Sequence, residues 1–445
     1  MESQHEHRQV IRRRFLQDTA LVVGGAAASV ALSKQTVVSA RSAATTQLRF
    51  WHMDYPPHNK VFGQFVAAFE AANPSIMITV EPQPTSDWTA KYQQAFISHA
   101  QPDLLAIHGG NAALYTASGV LAPLDGTIFT LAELQQRFFP SLLDAYGFGG
   151  HVYGLPLANN TPGIGFVINV DHFKQAKIDI PDQFASWNEV WTVAQKLTKK
   201  NPAGQITRAG LNVREGHQVQ YVMGCMLEQG QQYFDVQKGF SFQNTAGYNA
   251  IHVLTDAVSK YKVDSPSIAE AFTSLANGLS SMGMIYIDYL PYAKSQFPDK
   301  NLGFIVRPPY AGNKLIVASE GPWGINVAAA SPNKDAALQF VKFCSSTANL
   351  RTWYQQNNAL PSSPLLTHDP YFSTPGGRWL RKALQTAPNW VYMGHFPIYG
   401  IDNIAWPILD TAILGKISVE AAAQQMETQC NTSYQQFKKE VSGLH

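Results

Sequence analysis

The segment Gln47-Leu48-Arg49-Phe50-Trp51 predicts a short β-strand, and it begins a region in which strand and helix patterns alternate. Asn59 to Ala72 predicts a helix, because its apolar residues recur at three- and four-residue spacing. Ser75 to Val80 predicts a second strand, 87–99 a second helix, and Pro102 to Ile107 a third strand whose continuous apolar run indicates burial on both faces. Such alternation is typical of a mainly parallel α/β sheet, in which ligands bind at the carboxyl ends of the strands.

Residues 1–40 have the pattern of an export signal. Arg12-Arg13-Arg14-Phe15-Leu16-Gln17 precedes an apolar, small-residue stretch from Thr19 to Ser33, which is shorter than the about 20 residues that a membrane anchor needs. Val38-Ser39-Ala40 follows, and its small residues predict cleavage after Ala40. We therefore expect the twin-arginine (Tat) export machinery to carry the chain across the membrane, so that the mature protein works outside the cytoplasm.

The composition is that of a large globular chain. Hydrophobic residues make up 45% of the 445 residues and charged residues 14%, which allows a sizeable core. Without the signal, roughly 400 residues remain, enough for two or three domains. The net charge is +2 and no basic stripe is present, so we expect no nucleic-acid partner. The three cysteines, Cys225, Cys344 and Cys430, are far apart, and each is expected to be a small buried hydrophobic residue.

No motif in the sequence indicates catalysis. The chain has no Walker loop, no HExxH, no GxSxG and no complete GxGxxG, and its histidines are scattered singly. We therefore expect no enzyme activity, no cofactor and no metal site. A carboxylate pair of the kind that hydrolyses glycosides could be formed only in space, so an exported hydrolase stays open as an alternative.

A series of short motifs runs along the mature chain in order. They are Gly119–Asp125 (GVLAPLD), Gly150–Pro156 (GHVYGLP), Val167–Phe173 (VINVDHF), Ser186–Val190 (SWNEV), Gly283–Tyr286 (GMIY), Gly321–Asn326 (GPWGIN) and Ser331–Ala337 (SPNKDAA). Together they resemble the extracellular solute-binding proteins of ABC sugar importers, the family of maltose-binding-protein-like chains. The resemblance departs at Met284 and at Asp288-Tyr289, where the family usually has alanine and a small residue with tryptophan.

This resemblance implies a two-lobed α/β clamp of type II, in which each lobe has a mixed, mainly parallel sheet flanked by helices. Lobe one would be 45–157 plus 308–357, and lobe two 158–307 plus 358–445. The three interlobe crossings would lie near Pro156, Arg307-Pro308-Pro309 and Leu360-Pro361-Ser362, where proline restricts the backbone. The family implies a monomer that captures a sugar or oligosaccharide in the cleft, without catalysis, and delivers it to the transmembrane permease of an ABC transporter.

The expected ligand-binding residues follow from the chemistry of a sugar, whose C–H faces pack on aromatic rings and whose hydroxyls need donors and acceptors. The candidates are Trp51, Asp54, Tyr55, His108, Asn159, Asn160, Tyr286, Asp288, Tyr289, Glu320, Trp323 and Tyr392. Three of these assignments have a structural alternative: Trp51 could be a core residue, Asn159 and Asn160 could be ordinary turn residues, and the segment around Tyr392 could pack its own lobe.

Other solutes remain alternatives within the same clamp fold. Arginine-rich cleft loops would favour a glycerol phosphate ester, a tyrosine and histidine cluster an iron complex, and several cleft carboxylates a polyamine. Arg208, Arg214 and Arg307 are the inner-chain candidates for such an arginine clamp, and none lies in a predicted cleft loop. A sensor that hands its ligand to a chemoreceptor or kinase would have the same sequence features as a transport protein.

Overall fold

The computed structural model describes residues 45–84, 88–159, 163–312, 314–396 and 398–442. The predicted signal at 1–40 and the candidate Asn160 lie outside the described residues. Within this part of the chain, no helix combines the length and the apolar character needed to cross a membrane.

Most strands of the described chain are short, and the longer ones belong to a five-stranded and a three-stranded sheet. The strands are β1 (Thr46–Met53), β2 (Ile76–Gln83), β3 (Leu104–His108), β4 (Gly147–Phe148), β5 (His151–Val152), β6 (Leu155–Pro156), β7 (Ala158–Asn159), β8 (Gly165–Asn169), β9 (Lys199–Lys200), β10 (Ile206–Arg208), β11 (Phe234–Asp235), β12 (Gly239–Phe240), β13 (Met282–Gly283), β14 (Leu302–Val306), β15 (Val317–Ser319), β16 (Trp323–Val327), β17 (Leu360–Pro361) and β18 (Trp390–Tyr392).

The helices flank these sheets and supply much of the core. They are α1 (Pro56–Ala72), α2 (Trp88–Ile97), α3 (Gly109–Ala117), α4 (Leu131–Arg137), α5 (Pro140–Asp144), α6 (Val170–Gln175), α7 (Trp187–Leu197), α8 (Gln218–Glu228), α9 (Thr245–Ser259), α10 (Ala271–Ala276), α11 (Tyr289–Gln296), α12 (Lys334–Cys344), α13 (Thr347–Asn357), α14 (Arg378–Leu384), α15 (Ile398–Ile413) and α16 (Val419–Ser442). Short 3₁₀ turns occupy Pro364–Leu366, Pro370–Ser373 and Ala387–Asn389.

The first sheet contains the strands predicted from the N-terminal region. Its order is β2-β1-β3-β16-β6. β1 runs parallel to both β2 and β3, with Phe50 beside Leu104, whereas β16 runs antiparallel to β3 and to β6. Every residue of β3 is buried, as its apolar run predicts. The carboxyl ends of β1 and β3 therefore lie at the same edge as the start of β16.

The second sheet has the order β13-β8-β14. β8 is antiparallel to both neighbours, whereas the sequence analysis expects mainly parallel strands in each lobe, and the structure corrects this for the second sheet. Parallel bridges from Ala209 and Asn212 to Ser280 and Gly283 make the edge mixed. β13 and β14 lie on either side of β8 and therefore run in the same direction as each other, and the chain passes from one to the other through α11.

The segments predicted to cross between lobes lie side by side. Leu360 in β17 pairs with Asn159 in β7. The backbone N–H of Arg307 donates to Ile164 O at 3.0 Å, and its guanidinium Nε donates to Gly163 O at 2.7 Å. This arrangement is what hinge segments of a clamp require, while the lobe bounds drawn from the sequence stay a prediction.

Candidate functional site

A cavity of about 380 Å³ lies where the carboxyl end of β1 and the start of β16 face the segments that follow β13. Its volume falls within the range of roughly 300–1,000 Å³ that is usual for small-molecule sites. Its walls come from strands of the first sheet and from segments next to the second sheet, so the cavity is a cleft between the two sheet regions. The lining residues are Met53, Asp54, Tyr55, Pro56, His58, His217, Phe272, Tyr286, Asp288, Tyr292, Glu320 and Trp323.

The loop between β1 and α1 forms one wall. Asn59 fixes it, because its amide nitrogen donates to Asp54 Oδ1 at 2.7 Å and its amide oxygen accepts from the backbone N–H of Tyr55 at 3.2 Å. Proline at the first helical position suits the start of α1. Tyr55 and Asp54 are thereby held at the mouth of the cavity without belonging to a regular element.

Trp323 forms the rear wall. Its ring is 7% exposed and makes edge contacts with His58 and His108, at centroid distances of 5.3 and 5.1 Å. The chain can turn tightly before it because Gly321 has φ +94 and lies against Gly109, where an added Cβ would approach Gly321 Cα to 2.9 Å. The indole is therefore a fixed aromatic surface with little freedom to move.

The opposite wall is aromatic and acidic. Tyr286 and Asp288 follow β13, Tyr292 lies in α11, and Phe272 lies in α10. The rings of Tyr292 and Phe272 are 5.4 Å apart, and Tyr292 also stacks on Tyr55 of the first wall at 6.0 Å. This contact joins the two sides of the cleft at its mouth.

His217 carries a positive charge at the base of the cleft. Its Nδ1 lies 2.7 Å from Glu215 Oε1 and 2.8 Å from Oε2. Burial lowers the pKa of His217, but the charges of Glu215, Glu320 and Asp402 outweigh it and raise the pKa to about 10. His217 and Glu215 are therefore an ion pair at neutral pH.

His108 is neutral and directs its proton at Glu320. Burial lowers the pKa of His108 to about 3. Its Nδ1 accepts from the backbone N–H of Gly110 at 3.1 Å, so the ring proton sits on Nε2, which lies 3.5 Å from Glu320 Oε1. Glu320 itself is 3% exposed, and within the described chain its Oε2 has no hydrogen-bond partner.

Three carboxyl groups around the cleft hold protons more tightly than usual. Burial is the main cause for each, and it raises the pKa of Asp288 to about 7, of Asp402 to about 7 and of Glu320 to about 8. The neighbouring carboxylates Asp402, Asp288 and Glu215 raise the pKa of Glu320 further, while His217 lowers it. Gln220 Nε2 donates to both oxygens of Asp402 at 3.0 Å, which holds that carboxyl behind the cavity wall.

Half of the residues expected from the sequence line this cavity. They are Asp54, Tyr55, Tyr286, Asp288, Glu320 and Trp323. His108 lies directly behind Trp323 and Glu320 and contacts both. The structure thus brings together candidates that are more than 200 residues apart in sequence, which is a common consequence of a sheet edge collecting loops.

The remaining described candidates lie outside the lining. Trp51 donates from Nε1 to Glu81 at 2.6 Å and packs on Tyr92, so it closes the sheet. Asn159 Oδ1 accepts from Ser319 Oγ at 3.0 Å behind the crossing segments. Tyr289 donates to Phe272 O at 3.1 Å, and Tyr392 donates to Gly109 O at 3.2 Å. Each of these four side chains is buried in packing instead of facing the cavity.

The cavity also contains residues that the sequence analysis did not select. Tyr292 belongs to a visible aromatic cluster after β13, so it could have been chosen. His58, His217 and Phe272 carry no motif, and Met53 and Pro56 are neighbours of selected residues. The spacing of Glu215 and His217 in the sequence is a weak indication of an ion pair. Its relevance to the cavity becomes visible only in the fold, where Glu320 lies close enough to influence His217.

Neither a metal nor a phosphate ligand set is found among the described residues. No group of three histidine, cysteine or carboxylate side chains lies in a position to hold a metal ion there. The cavity lining of the described chain contains no lysine and no arginine. Arg214 instead pairs with Asp264 at 3.4 Å and Arg307 with Glu228 at 2.9 Å, both away from the cavity.

Comparison with known proteins places the chain in a family. Residues 55–350 match the family described as bacterial extracellular solute-binding protein, and the chain belongs to it. A curated relative from Sinorhizobium fredii, described as a probable amino-acid ABC transporter periplasmic-binding protein, is 28% identical over 215 residues. That match covers 46% of this chain and 46% of the relative, so the chain spans about half the length of the curated relative it matches.

Solved structures share the two-lobed fold. An ABC substrate-binding protein from Listeria monocytogenes in complex with cycloalternan gives a TM-score of 0.72 at 20% identity, covering 87% of this chain and 98% of that one. The GacH receptor of Streptomyces glaucescens, described with acarbose, gives 0.71 at 19% identity over 88% and 99%. UgpB from Mycobacterium tuberculosis in complex with glycerophosphocholine gives 0.71 at 18% identity over 88% and 99%. The predicted type II clamp is confirmed.

Proposed function

We propose that this protein is a non-catalytic binding protein that captures a carbohydrate in the cleft and delivers it to the permease of an ABC transporter. The observation that carries the proposal is the lining itself, in which Trp323, Tyr55, Tyr286 and Tyr292 surround the carboxyl groups of Asp288 and Glu320. Aromatic faces accept the C–H surface of a sugar ring, and buried carboxylates accept its hydroxyls.

Several solved structures of the same fold support this choice of ligand class. Structures of the same fold are described with cycloalternan, acarbose and α-D-tagatose, the last from Thermotoga lettingae. A phosphate ester is disfavoured because the described lining has no lysine or arginine to neutralise it. An iron complex is disfavoured because, within the described residues, no group of three histidine, cysteine or carboxylate side chains is placed to hold a metal ion.

Ligand-biased closure is the proposed mechanism. Tyr55 and Trp323 come from one side of the cleft, and Tyr286, Asp288 and Tyr292 from the other. A ligand that touches both sides binds the closed arrangement more tightly and shifts the population toward it. The closed form would then dock on the permease outside the cytoplasmic membrane, after export by the twin-arginine route that residues 1–40 predict.

Calorimetry of the mature chain, beginning at Arg41, tests the proposal. The panel contains mono-, di- and trisaccharides, glycerol phosphates and polyamines. We expect one-to-one binding of a sugar that Trp323→Ala weakens by at least about tenfold, since an aromatic platform contributes on the order of 1–3 kcal/mol. Trp191→Ala is the control, because Trp191 stacks on Tyr261 away from the cavity. Binding of a charged solute without binding of any sugar would overturn the proposal.

A further inference from the structure

The cleft contains more carboxyl groups than cationic side chains. His217 is the one cationic side chain in the described lining, and it is already paired with Glu215. Asp288 and Glu320 also line the cavity, and Asp402 lies close enough to influence both His217 and Glu320. Asp288, Glu320 and Asp402 therefore lie around a single cationic side chain, His217, and Glu215 already balances its charge.

Glu320 provides an independent indication that a ligand group completes this region. Its side chain is 4% exposed and belongs to the cavity lining. Oε1 faces the Nε2–H of neutral His108, whereas Oε2 has no hydrogen-bond partner within the described residues. A buried carboxyl oxygen without a partner is costly, and here it belongs to a residue of the cavity wall.

Asp288 repeats this pattern on the opposite wall. Its Oδ1 is buried and has no hydrogen-bond partner in the described part of the chain. Asp288 precedes α11 but makes no side-chain cap to that helix, and the one hydrogen bond that influences its pKa comes from its own backbone N–H. Two unsatisfied carboxyl oxygens thus come from opposite sides of one cavity.

The aromatic residues around these carboxyl groups favour a cation over a neutral group. Tyr55, Tyr286, Tyr292 and Trp323 all line the cavity, and the negative faces of such rings attract an ammonium group. A neutral hydroxyl can donate one hydrogen bond, whereas an ammonium supplies up to three donors and a full charge. The two unpartnered carboxyl oxygens and the excess of carboxyl groups match the second possibility, because a bound ammonium group favours the ionised carboxylate, which only accepts hydrogen bonds.

We propose that the physiological ligand is an amine-bearing carbohydrate, whose ammonium group binds between Glu320 and Asp288 while its ring packs on Trp323. This inference rests on the proposed function, since it specifies the sugar class for the same cleft. It differs from a polyamine site because Trp323 and the tyrosines provide a surface for a ring. The proposed site also differs from sugar-binding sites that recognise hydroxyl groups alone, because it binds a charged ammonium group.

Matched sugars test the inference by calorimetry on the mature chain. Each set has one skeleton with an amine, an N-acetyl or a hydroxyl group at the same carbon: glucosamine, N-acetylglucosamine and glucose, the galactose equivalents, and the β-1,4-linked disaccharides of the glucose set. We expect the amine member of at least one set to bind about tenfold or more tightly than its two neutral partners, as charge-assisted hydrogen bonds allow.

The outcomes separate the inference from the proposed function. Neutral members that bind as tightly as their amine partners would overturn the inference and leave carbohydrate binding intact. Binding of spermidine or putrescine without any sugar would overturn both, as would the absence of binding across all sets. A preference for the amine member supports both.

Conservative variants provide a readout that a folding defect cannot imitate. Glu320→Gln and Asp288→Asn each keep the size of the side chain, and each should reduce the ratio of amine to hydroxyl affinity by about tenfold. Glu440→Gln is the matched control, because Glu440 is exposed near the end of α16 and should leave the ratio unchanged. An unchanged ratio in both cleft variants would contradict the assignment of the ammonium position.

Discussion

Tyr55 and Tyr292 lie face to face at the mouth of the cleft, with ring centroids 6.0 Å apart and ring planes inclined by 15°. Tyr55 directly precedes α1 beside the first sheet, and Tyr292 lies in α11, between two strands of the second sheet. Stacked aromatic pairs contribute on the order of 0.5–1.5 kcal/mol beyond their buried area. The pair therefore favours the closed arrangement even before a ligand binds.

Removing one ring of this pair should open the clamp. For Tyr292→Ala we expect ligand affinity to fall about three- to tenfold, because closure loses the contribution of the stack. Small-angle scattering of the empty variant should give a larger radius of gyration than that of the unaltered protein. Tyr261→Ala is the matched control, since that tyrosine stacks on Trp191 at 4.3 Å away from the cavity and should change neither quantity.

The two tryptophans expected at the site should respond differently to substitution. Trp323→Phe should weaken ligand binding by about tenfold, because the smaller ring leaves part of the cavity wall unfilled. Trp51→Phe should leave affinity unchanged and lower the free energy of unfolding by about 1 kcal/mol, since it removes the hydrogen bond to Glu81. Calorimetry and urea unfolding measure the two quantities. Equal loss of affinity in both variants would contradict the position of the site.

The stability of the ligand-free protein should fall as the pH rises from 6.5 to 8.5. The folded pKa of Glu320 is about 8 against an ordinary value of 4.5, so the folded state keeps a proton that the unfolded chain has lost, and this advantage disappears as the pH approaches 8. His217, with a folded pKa of about 10, loses its stabilising effect in the same direction above its ordinary value of 6.5. His108 and His58, with pKa values of about 3, act oppositely and destabilise the fold below pH 6.5.

Glu320→Gln should flatten this pH dependence. Glutamine has no proton to lose, so the unfolding temperature at pH 8.5 should rise by roughly 1–4 °C relative to the unaltered protein. The remaining slope comes from His217, Asp288 and Asp402. Differential scanning calorimetry across the pH range checks this, and an unchanged slope in the variant would contradict the assigned pKa of Glu320.

The ion pair between Arg307 and Glu228 should be essential for stability. Both side chains are at most 1% exposed, and Glu228 also accepts from the backbone N–H groups of Tyr310 and Ile316. Glu228→Gln leaves a buried guanidinium without its charge partner, which should cost about 3 kcal/mol or more in urea unfolding. The exposed pair of Arg381 and Asp182 is the control, and Asp182→Asn should cost less than about 1 kcal/mol.

The arginines of the predicted export signal should be required for secretion. Replacing Arg12, Arg13 and Arg14 by lysine keeps the charge of the segment but removes the twin-arginine pattern. Cell fractionation should then find the full-length precursor in the cytoplasm, while Arg8→Lys should be exported and cleaved normally. Export of the triple variant would point to the general secretory route.

The first sheet was predictable because its information is local. The strand predicted at 47–51 is Thr46–Met53 in the structure, and the helix predicted at 59–72 is Pro56–Ala72. Apolar residues at helical spacing indicated the helix, which begins at a proline. The second sheet was less accessible, because β8 and β13 are far apart in sequence and no periodicity indicates which strands pair. Family motifs, not periodicity, predicted the two-lobed arrangement.

The cleft was predicted in part for the same reason. Asp54 and Tyr55 follow a recognisable strand and Trp323 begins one, so their position at a sheet edge could be inferred. Trp51 was harder to assign, because alternation along β1 does not reveal that Glu81 of the adjacent strand would bind its indole. His217 could not be found, since its importance comes from carboxyl groups that only the fold brings near it.

The three native thiols give the protein a practical property. Cys225, Cys344 and Cys430 are all free and buried, and burial raises the pKa of Cys225 and of Cys430 to about 12 and that of Cys344 well above its ordinary value. The thiolate is the reactive form, so these residues are inert toward maleimides while the protein is folded. A cysteine introduced on the surface would therefore accept a fluorophore alone, and the unaltered chain is ready for conversion into an optical sensor of its own ligand.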